Sequence, residues 1–303
     1  MKKAMTIMLG LVVALVLVAC DGDDANGGGN GDLGPIGFSV STLNNPFFVS
    51  MEEGARAMAD ELGVELIVVD ANNDAAKQVT DIEDLMSRGI EVLIISAVDS
   101  AAAGPIVQDV IDAGIYVIAV GRVVDGVEVD TFIGTDNVTA AQEAAEFFIN
   151  EIGEGARVAV LEGVPGASSA ITRLEGFMLA ADGRLEIVSS LTANFDRAEG
   201  LAVAESILQA HPDIEGIFAM NDEMGLGAIE AAIAAGRTPG VDILITGFDA
   251  NDDARAAVEA GTMLLTAEQN TVLMGATSVE KAVDFINGVT VPVNIPIDVE
   301  LIY

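Results

Sequence analysis

Two residue types on which much enzyme chemistry depends are nearly missing from this 303-residue chain, which holds one histidine, His211, and one cysteine, Cys20. A lone cysteine excludes an internal disulfide. Without a second histidine or a thiol in the body of the chain, acid–base and nucleophilic constellations are hard to assemble. His211 sits in Ala210-His211-Pro212-Asp213, a turn sequence at a helix end, and reads as structural. Positive charge is scarce too: 13 basic residues, four of them lysine, stand against 48 acidic ones, for a formal net charge of -35. No basic stripe exists to displace counterions from phosphates, which argues against nucleic acid and against adsorption to anionic head groups. The acidic excess reads as a solvated shell of the kind found on exported proteins of saline habitats. Phosphate-cradling glycine signatures are absent, and past the N-terminus no apolar run is long enough to span a membrane. No cofactor is expected.

What is present begins with an address. Lys2 and Lys3 precede an apolar run, Met5 to Val18, that is too short to cross a bilayer comfortably. Leu17-Val18-Ala19-Cys20 then resembles the bacterial lipoprotein signal, in which the cysteine becomes the acylated N-terminus after cleavage. On that likeness residues 1–20 are a signal peptide and Cys20 is the lipid attachment point; an uncleaved anchor helix is the alternative. Residues 21–34 are small and acidic without periodicity and read as a flexible spacer. The expected product is an exported globule tethered to the outer face of a membrane. About 270 residues remain, a length that suggests two domains.

Strand-like and helix-like runs alternate along the rest of the chain. Several extended candidates, such as Val92-Leu93-Ile94-Ile95, are continuously apolar, as strands covered on both faces should be. Helical runs are expected over Val49–Leu62, Ala101–Ala113, Thr139–Ile152, Ile171–Ala181, Gly200–Ala210 and Gly225–Ala235, among others. Asp74 and Asn221-Asp222 stand where N-caps belong, and Gly89, Gly114 and Gly236 where helices end. The fold class is α/β, with two doubly wound parallel sheets whose strand tips face a common cleft.

The residues that follow each strand form a polar and aromatic list. Ser41-Thr42-Leu43-Asn44-Asn45-Pro46-Phe47-Phe48 follows the first strand: an amide, a proline that stiffens the turn, and two phenyl rings. Such a set suits a small polyol, although phenylalanines at a helix start equally often enter the core. The first half adds Ser96 with Asp99, then Arg122. The second half adds Arg173, Phe195 with Asp196, Asn221 with Asp222, and Phe248 with Asp249, and Gln269 follows its last strand. Ser168-Ser169 reads as loop and helix-capping chemistry. Asp70-Ala71-Asn72-Asn73-Asp74 and Asp249-Ala250-Asn251-Asp252-Asp253 begin like calcium loops but lack the glycine at the sixth position and the closing glutamate, so turns and caps are expected and no metal.

The octet at 41–48, together with Asn194-Phe195-Asp196-Arg197, Phe218-Ala219-Met220-Asn221-Asp222-Glu223-Met224 and Gly247-Phe248-Asp249, resembles periplasmic ribose-binding proteins. These are type I solute-binding proteins of sugar ABC transporters, and the likeness runs from about Ile36 to Tyr303. It implies a two-lobed clamp whose chain crosses between lobes three times, near Thr135-Asp136, Gln269-Asn270 and Pro296–Asp298. The lobes would comprise residues 35–135 with 270–295, and 136–269 with 296–303. It implies that Asn45, Phe47, Phe48, Ser96 and Arg122 line the first wall and Arg173, Phe195, Asn221 and Asp249 the second, with Gln269 at the hinge. It implies capture of a monosaccharide, ribose or a similar pentose first, by a monomer that delivers it to a membrane permease. A chemoreceptor is an alternative recipient, and another sugar, a polyol or a furanose-like signal molecule an alternative guest. Ser96 and Gly121 depart from the pattern, standing where ribose-binding relatives carry asparagine and aspartate, so first-wall hydroxyl binding is reduced and the choice of sugar left open. A sugar-responsive repressor core shares the fold, but an export signal occupies the place of its DNA-binding segment.

Overall fold

A computed structural model describes residues 34–303. The signal, Cys20 and nearly all of the spacer lie outside the described residues. From Ile36 the chain runs β1 (Ile36–Val40), α1 (Pro46–Leu62), β2 (Leu66–Asp70), α2 (Ala75–Ser87), β3 (Val92–Ile95), α3 (Gly104–Asp112), β4 (Tyr116–Val120) and β5 (Thr131–Gly134). It continues with α4 (Asn137–Ile152), β6 (Arg157–Glu162), α5 (Ser168–Ala181), β7 (Glu186–Thr192), α6 (Arg197–Ala210), β8 (Gly216–Ala219), α7 (Asp222–Ala234), β9 (Leu244–Ile245) and α8 (Asp252–Glu259). Last come β10 (Thr266–Glu268), α9 (Thr271–Ile286), β11 (Asn294–Pro296) and β12 (Glu300–Ile302).

The first sheet has the order β2-β1-β3-β4-β5-β11 and is parallel throughout. The second has the order β7-β6-β8-β9, also parallel. Bridges from Thr246 to Leu265 and from Asp249 to Glu268 carry its edge on to the antiparallel pair β10-β12. In each sheet the first strand in the chain lies between the next two, so the order reverses beside β1 and beside β6. At such a switch point the flanking loops part and leave a crevice at the carboxyl ends of the strands.

The unbroken apolar strands divide their side chains between two layers, as period-two geometry requires. Val92 and Ile94 of β3 join the cluster built on Met51 and Ala55 of α1 and Met274 and Val279 of α9. Leu93 and Ile95 face the other way, toward Ile82 and Leu85 of α2 and Val107 and Val110 of α3. The second sheet is sealed by a single large cluster with Phe177 and Phe218 at its centre, ring centroids 4.5 Å apart. α1 and α9 pack so closely that a Cβ at Gly54 would collide with the Val272 carbonyl, and one at Gly275 with the Met51 carbonyl.

Five helix starts differ by three residues from those expected from the sequence. α1 begins at Pro46 rather than Val49, capped by Asn45, so Phe47 and Phe48 occupy its first turn. Proline suits that place because its missing N–H would be unpaired there anyway. α5, α6 and α7 likewise begin three residues early, at Ser168, Arg197 and Asp222, the last two behind the caps Asp196 and Asn221. α3 begins later, at Gly104, because the Asp99 carboxylate accepts from the N–H groups of Ala101 and Ala102 and holds them in a turn. Gly89, Gly114 and Gly236 take positive φ of 75°, 82° and 79° just past their helices, as expected of C′ residues. β11 and β12, three residues each, were not anticipated.

The packing of α1 on α9 predicts that Gly275→Ala destabilises the protein by about 1–3 kcal/mol, the usual cost of overpacking. Urea unfolding followed by circular dichroism measures this; an unchanged midpoint would mean that the two helices can move apart freely.

Candidate ligand-binding site

The caps that start the helices also shape the site. The Asn45 side-chain oxygen accepts from the Phe47 N–H at 2.9 Å, and its Nδ2 donates to the Phe195 carbonyl at 3.2 Å. Asn221 does the same from the second sheet, accepting from the Met224 N–H at 3.0 Å and donating to the Phe195 carbonyl at 3.3 Å. One carbonyl oxygen therefore receives an amide from the tip of β1 and another from the tip of β8. Both side-chain oxygens cap a helix with one lone pair and keep the other, so each amide can still accept as well as donate. Each amide retains one N–H.

Phe195 is held in an unusual backbone state. Asn194 and Phe195 have φ of 52° and 58°, left-handed values that cost non-glycine residues free energy. Asn194 is fixed by donating to Glu199 at 2.6 Å, and the Thr192 hydroxyl beside it donates to the Gly163 carbonyl at 2.7 Å. The Phe195 ring lies so near Gly163 that any side chain there would overlap it.

Two guanidinium groups face this ring, each 5.7 Å from its centroid. Arg122, after β4, donates through NH1 to Ser41 Oγ and to the Ala97 carbonyl, both at 3.0 Å, and sits 5.1 Å from the Phe48 ring centre. Arg173, on α5, donates to Asn137 Oδ1 and to the Met220 carbonyl, both at 2.8 Å, and lies 3.9 Å over the Phe248 ring. Its carboxylate partner is Asp249, at 3.5 Å. Asp249 accepts from Gln269 Nε2 at 2.7 Å, and Gln269 in turn accepts from the Thr135 hydroxyl at 3.1 Å. Asp222 stands behind, accepting from the Thr266 hydroxyl at 2.5 Å and the Asn251 N–H at 2.8 Å.

Burial sets the titration of these groups. It pushes the Asp249 carboxyl up to about 8 against the opposing pull of Arg173, and Asp222 up to about 6. It pushes Arg122 down to about 9, with the positive charge of Arg173 adding to the effect, and it lowers Arg173 too. Removing either kind of ion from water disfavours its charged form, so both directions share one cause.

Asn45, Phe47, Phe48, Arg122, Arg173, Phe195, Asn221 and Asp249 line one narrow cavity of about 20 Å³, with Gly121 and Ser169 completing it. A wider groove of about 410 Å³ shares Phe47 and Asp249. Two expected site residues are not on the cavity wall. Gln269 is behind Asp249. Ser96 is fully buried: its carbonyl accepts from Ser41 Oγ and Gln78 Nε2, and its own hydroxyl has no hydrogen-bond partner. Ser168 and Ser169 are not loop residues but the first turn of α5, where Ser168 Oγ accepts from the Val123 N–H at 3.0 Å. Two further residues position the arginines: Ser41, first of the octet after β1 but given no role there, and Asn137, not singled out in the sequence. Asn137 opens α4, three residues past the end of β5 and behind the cap Asp136.

The two aspartate-rich segments form turns and caps. Asp70 accepts from the Asn72 N–H, Asp74 caps α2, and Asn251 caps α8. No group of three or more histidine, cysteine, aspartate or glutamate side chains among the described residues is placed to hold a metal ion.

A family model described as periplasmic binding protein domain matches residues 36–290. The chain is 42% identical over 293 residues to the ribose import binding protein RbsB of Bacillus subtilis, covering 95% of this chain and 94% of that protein. It is 40% identical over 268 residues to RbsB of Escherichia coli, covering 88% and 90%. Among solved structures, the Caulobacter myo-inositol binding protein bound to myo-inositol superposes with a TM-score of 0.85 at 33% identity, covering 90% of this chain and 94% of that one.

The buried carboxyls make stability depend on pH. A group whose folded pKa lies above its unfolded value near 4 binds more protons in the folded state, so stability falls as pH rises toward the folded value. Between pH 6.5 and 8.5 the surface carboxylates are ionised throughout, and the ligand-free protein should lose about 1–2 kcal/mol, chiefly through Asp249. Asp249→Asn should flatten that profile in chemical unfolding; an equal slope in the variant would place the titration elsewhere.

Proposed function

This chain belongs to the periplasmic binding protein family, and from that premise we propose that it captures one monosaccharide between two closing lobes and hands it to an ABC permease. It is a binding protein, not an enzyme. The observation that carries the reading is the meeting, in one cavity, of side chains from the strand tips of both sheets: two guanidinium groups, a carboxylate, two amides and three phenyl rings. A sugar has hydroxyl edges and C–H faces, and this set matches both. Phe48 and Phe195 cover apolar faces, worth about 25 cal/mol per Å² removed from water. Arg173 and Asp249 give charge-assisted hydrogen bonds to hydroxyls, and the free N–H of each asparagine adds a neutral donor.

The lobes we propose are residues 35–135 with 270–295, and 136–269 with 296–303. Pairing of β11 with β5 and of β12 with β10 supports the last crossing, near Pro296. The Thr135–Gln269 hydrogen bond would lie at the hinge. A guest that touches both walls favours the closed state because only there does it make all its contacts. The proposed anchor is an acyl group on Cys20, with the acidic spacer holding the domain off the bilayer.

Calorimetric titration with D-ribose, D-allose and myo-inositol tests the reading, together with small-angle scattering for compaction on binding. Arg173→Ala should weaken whichever sugar binds by about 10- to 100-fold, the loss of a charged hydrogen bond. Unchanged affinity would put the site elsewhere. Cys20→Ser should release the protein from the membrane fraction of expressing cells; retention there would exclude acylation at this residue.

A further inference from the structure

Among the described residues every lysine and arginine makes an ion pair with a carboxylate, except Arg122. Scarcity of acid is not the reason, since 48 acidic residues face 13 basic ones. Nor is exposure, for Arg122 is 5% exposed. Its NH1 is held by Ser41 and by the Ala97 carbonyl, both neutral. Its Nε and NH2 make no hydrogen bond among the described residues, and the side chain lines the cavity. The nearby carboxylates are engaged elsewhere. Asp249 serves Arg173 and Gln269, and Asp222, which does not line the cavity, serves Thr266 and the Asn251 N–H.

The residue before Arg122 is Gly121, also on the cavity wall, and it offers no side chain where an acidic one would neutralise the guanidinium. A Cβ there would lie 3.4 Å from Met51 Cε and 3.6 Å from Phe47 Cζ, ordinary contact distances. The lining of the cavity thus carries two guanidinium groups against the single carboxyl of Asp249, which burial disposes to keep its proton. A neutral hydroxyl leaves that excess of positive charge in place. A carboxylate removes it and matches the parallel donors of a guanidinium edge.

Resting on the sugar-capture reading above, we infer that the preferred guest is a monosaccharide bearing one carboxylate, an aldonate or a uronate, whose carboxyl group pairs with Arg122. The guest brings the counter-charge that the chain omits at Gly121. Its hydroxyls then meet Arg173, Asp249 and the two amides, and its C–H faces meet Phe48 and Phe195. Arg122 becomes a specificity determinant for charge, and the second wall reads the hydroxyl pattern.

The test is titration calorimetry at pH 7 in chloride-free buffer with two pairs of probes, D-ribose against D-ribonate and D-galactose against D-galacturonate. At least one acid should bind about tenfold or more tightly than its neutral parent. Gly121→Asp places a carboxylate beside Arg122 and should reverse that preference. Gly121→Asn imposes the same backbone demand at φ of 68° without charge and should preserve it. Tighter binding of both neutral sugars by the unaltered protein would overturn the inference while leaving sugar capture intact. So would a neutral-sugar affinity that rises with chloride at constant ionic strength, which means an inorganic anion neutralises Arg122. Equal loss of acid binding in the Asp and Asn variants would show a steric cause and overturn it too. Binding of none of the four probes would bring down the inference and the sugar reading together.

Discussion

Two guanidinium groups, Arg122 and Arg173, are buried around one phenyl ring, and the rest of the site is arranged to make that tolerable. Like charges in a medium of low dielectric repel strongly, and each also loses its hydration. The compensation is distributed. Strand tips supply carbonyl oxygens, Ala97 after β3 and Met220 after β8, each accepting from one guanidinium. Phe48 and Phe248 supply the negative faces of their rings, at 5.1 and 3.9 Å. These groups sit at the carboxyl ends of strands because the sheet order reverses there and the loops part. Topology and electrostatics are thus one problem with one solution.

The compensation is unequal between the walls. Arg173 has the carboxyl of Asp249 as its partner, backed by Gln269 and by the more distant Asp222. Arg122 has a serine hydroxyl and a carbonyl. An outer surface dominated by acid makes the contrast sharper, because the interior of the cleft is one of few places where positive charge prevails. A diffusing anion is repelled by the shell at long range, although physiological salt screens charges beyond about 8 Å and leaves the short-range pairing inside the cavity in force.

Much of this was legible in the sequence, and the limits have physical reasons. Continuous apolar runs such as Val92–Ile95 announce strands buried on both faces, and the residues after them included eight that line the cavity. Helix starts were misjudged by about one turn because the first turn of a helix carries the polar and aromatic residues of the site, so it breaks the apolar period: Pro46-Phe47-Phe48 and Ser168-Ser169 are cases. β11 and β12 are too short to show alternation, and β11 ends in a proline, which pairs at an edge without needing its N–H. Ser96 shows a subtler failure. It follows a strand as the site residues do, but its side chain turns into protein, and only its carbonyl works, for Ser41 and Gln78. Position after a strand locates a residue; it does not say which of its atoms acts.

Backbone strain marks the other thing that a residue list cannot show. Asn194, Phe195, Asp249 and Ala250 all have positive φ, and all lie at tips of the second sheet. Such states cost of order 1–3 kcal/mol each and persist only where the surroundings over-determine them. Here the surroundings do: the Phe195 carbonyl receives two amides, the Asp249 N–H donates to the Ala267 carbonyl at 2.9 Å, and the Ala250 N–H donates to the Thr266 hydroxyl at 3.1 Å. One of those supports differs from the others, because Asn45 follows the first sheet while Asn221 follows β8 of the second, and Ala267 and Thr266 lie on β10, bridged to its edge. The strained tip is therefore held mainly by its own side and completed from across the cleft. A tip so fixed needs no further group to hold its aromatic face and carboxyl in place, and the capped start of α1 adds the remaining amide to the same carbonyl.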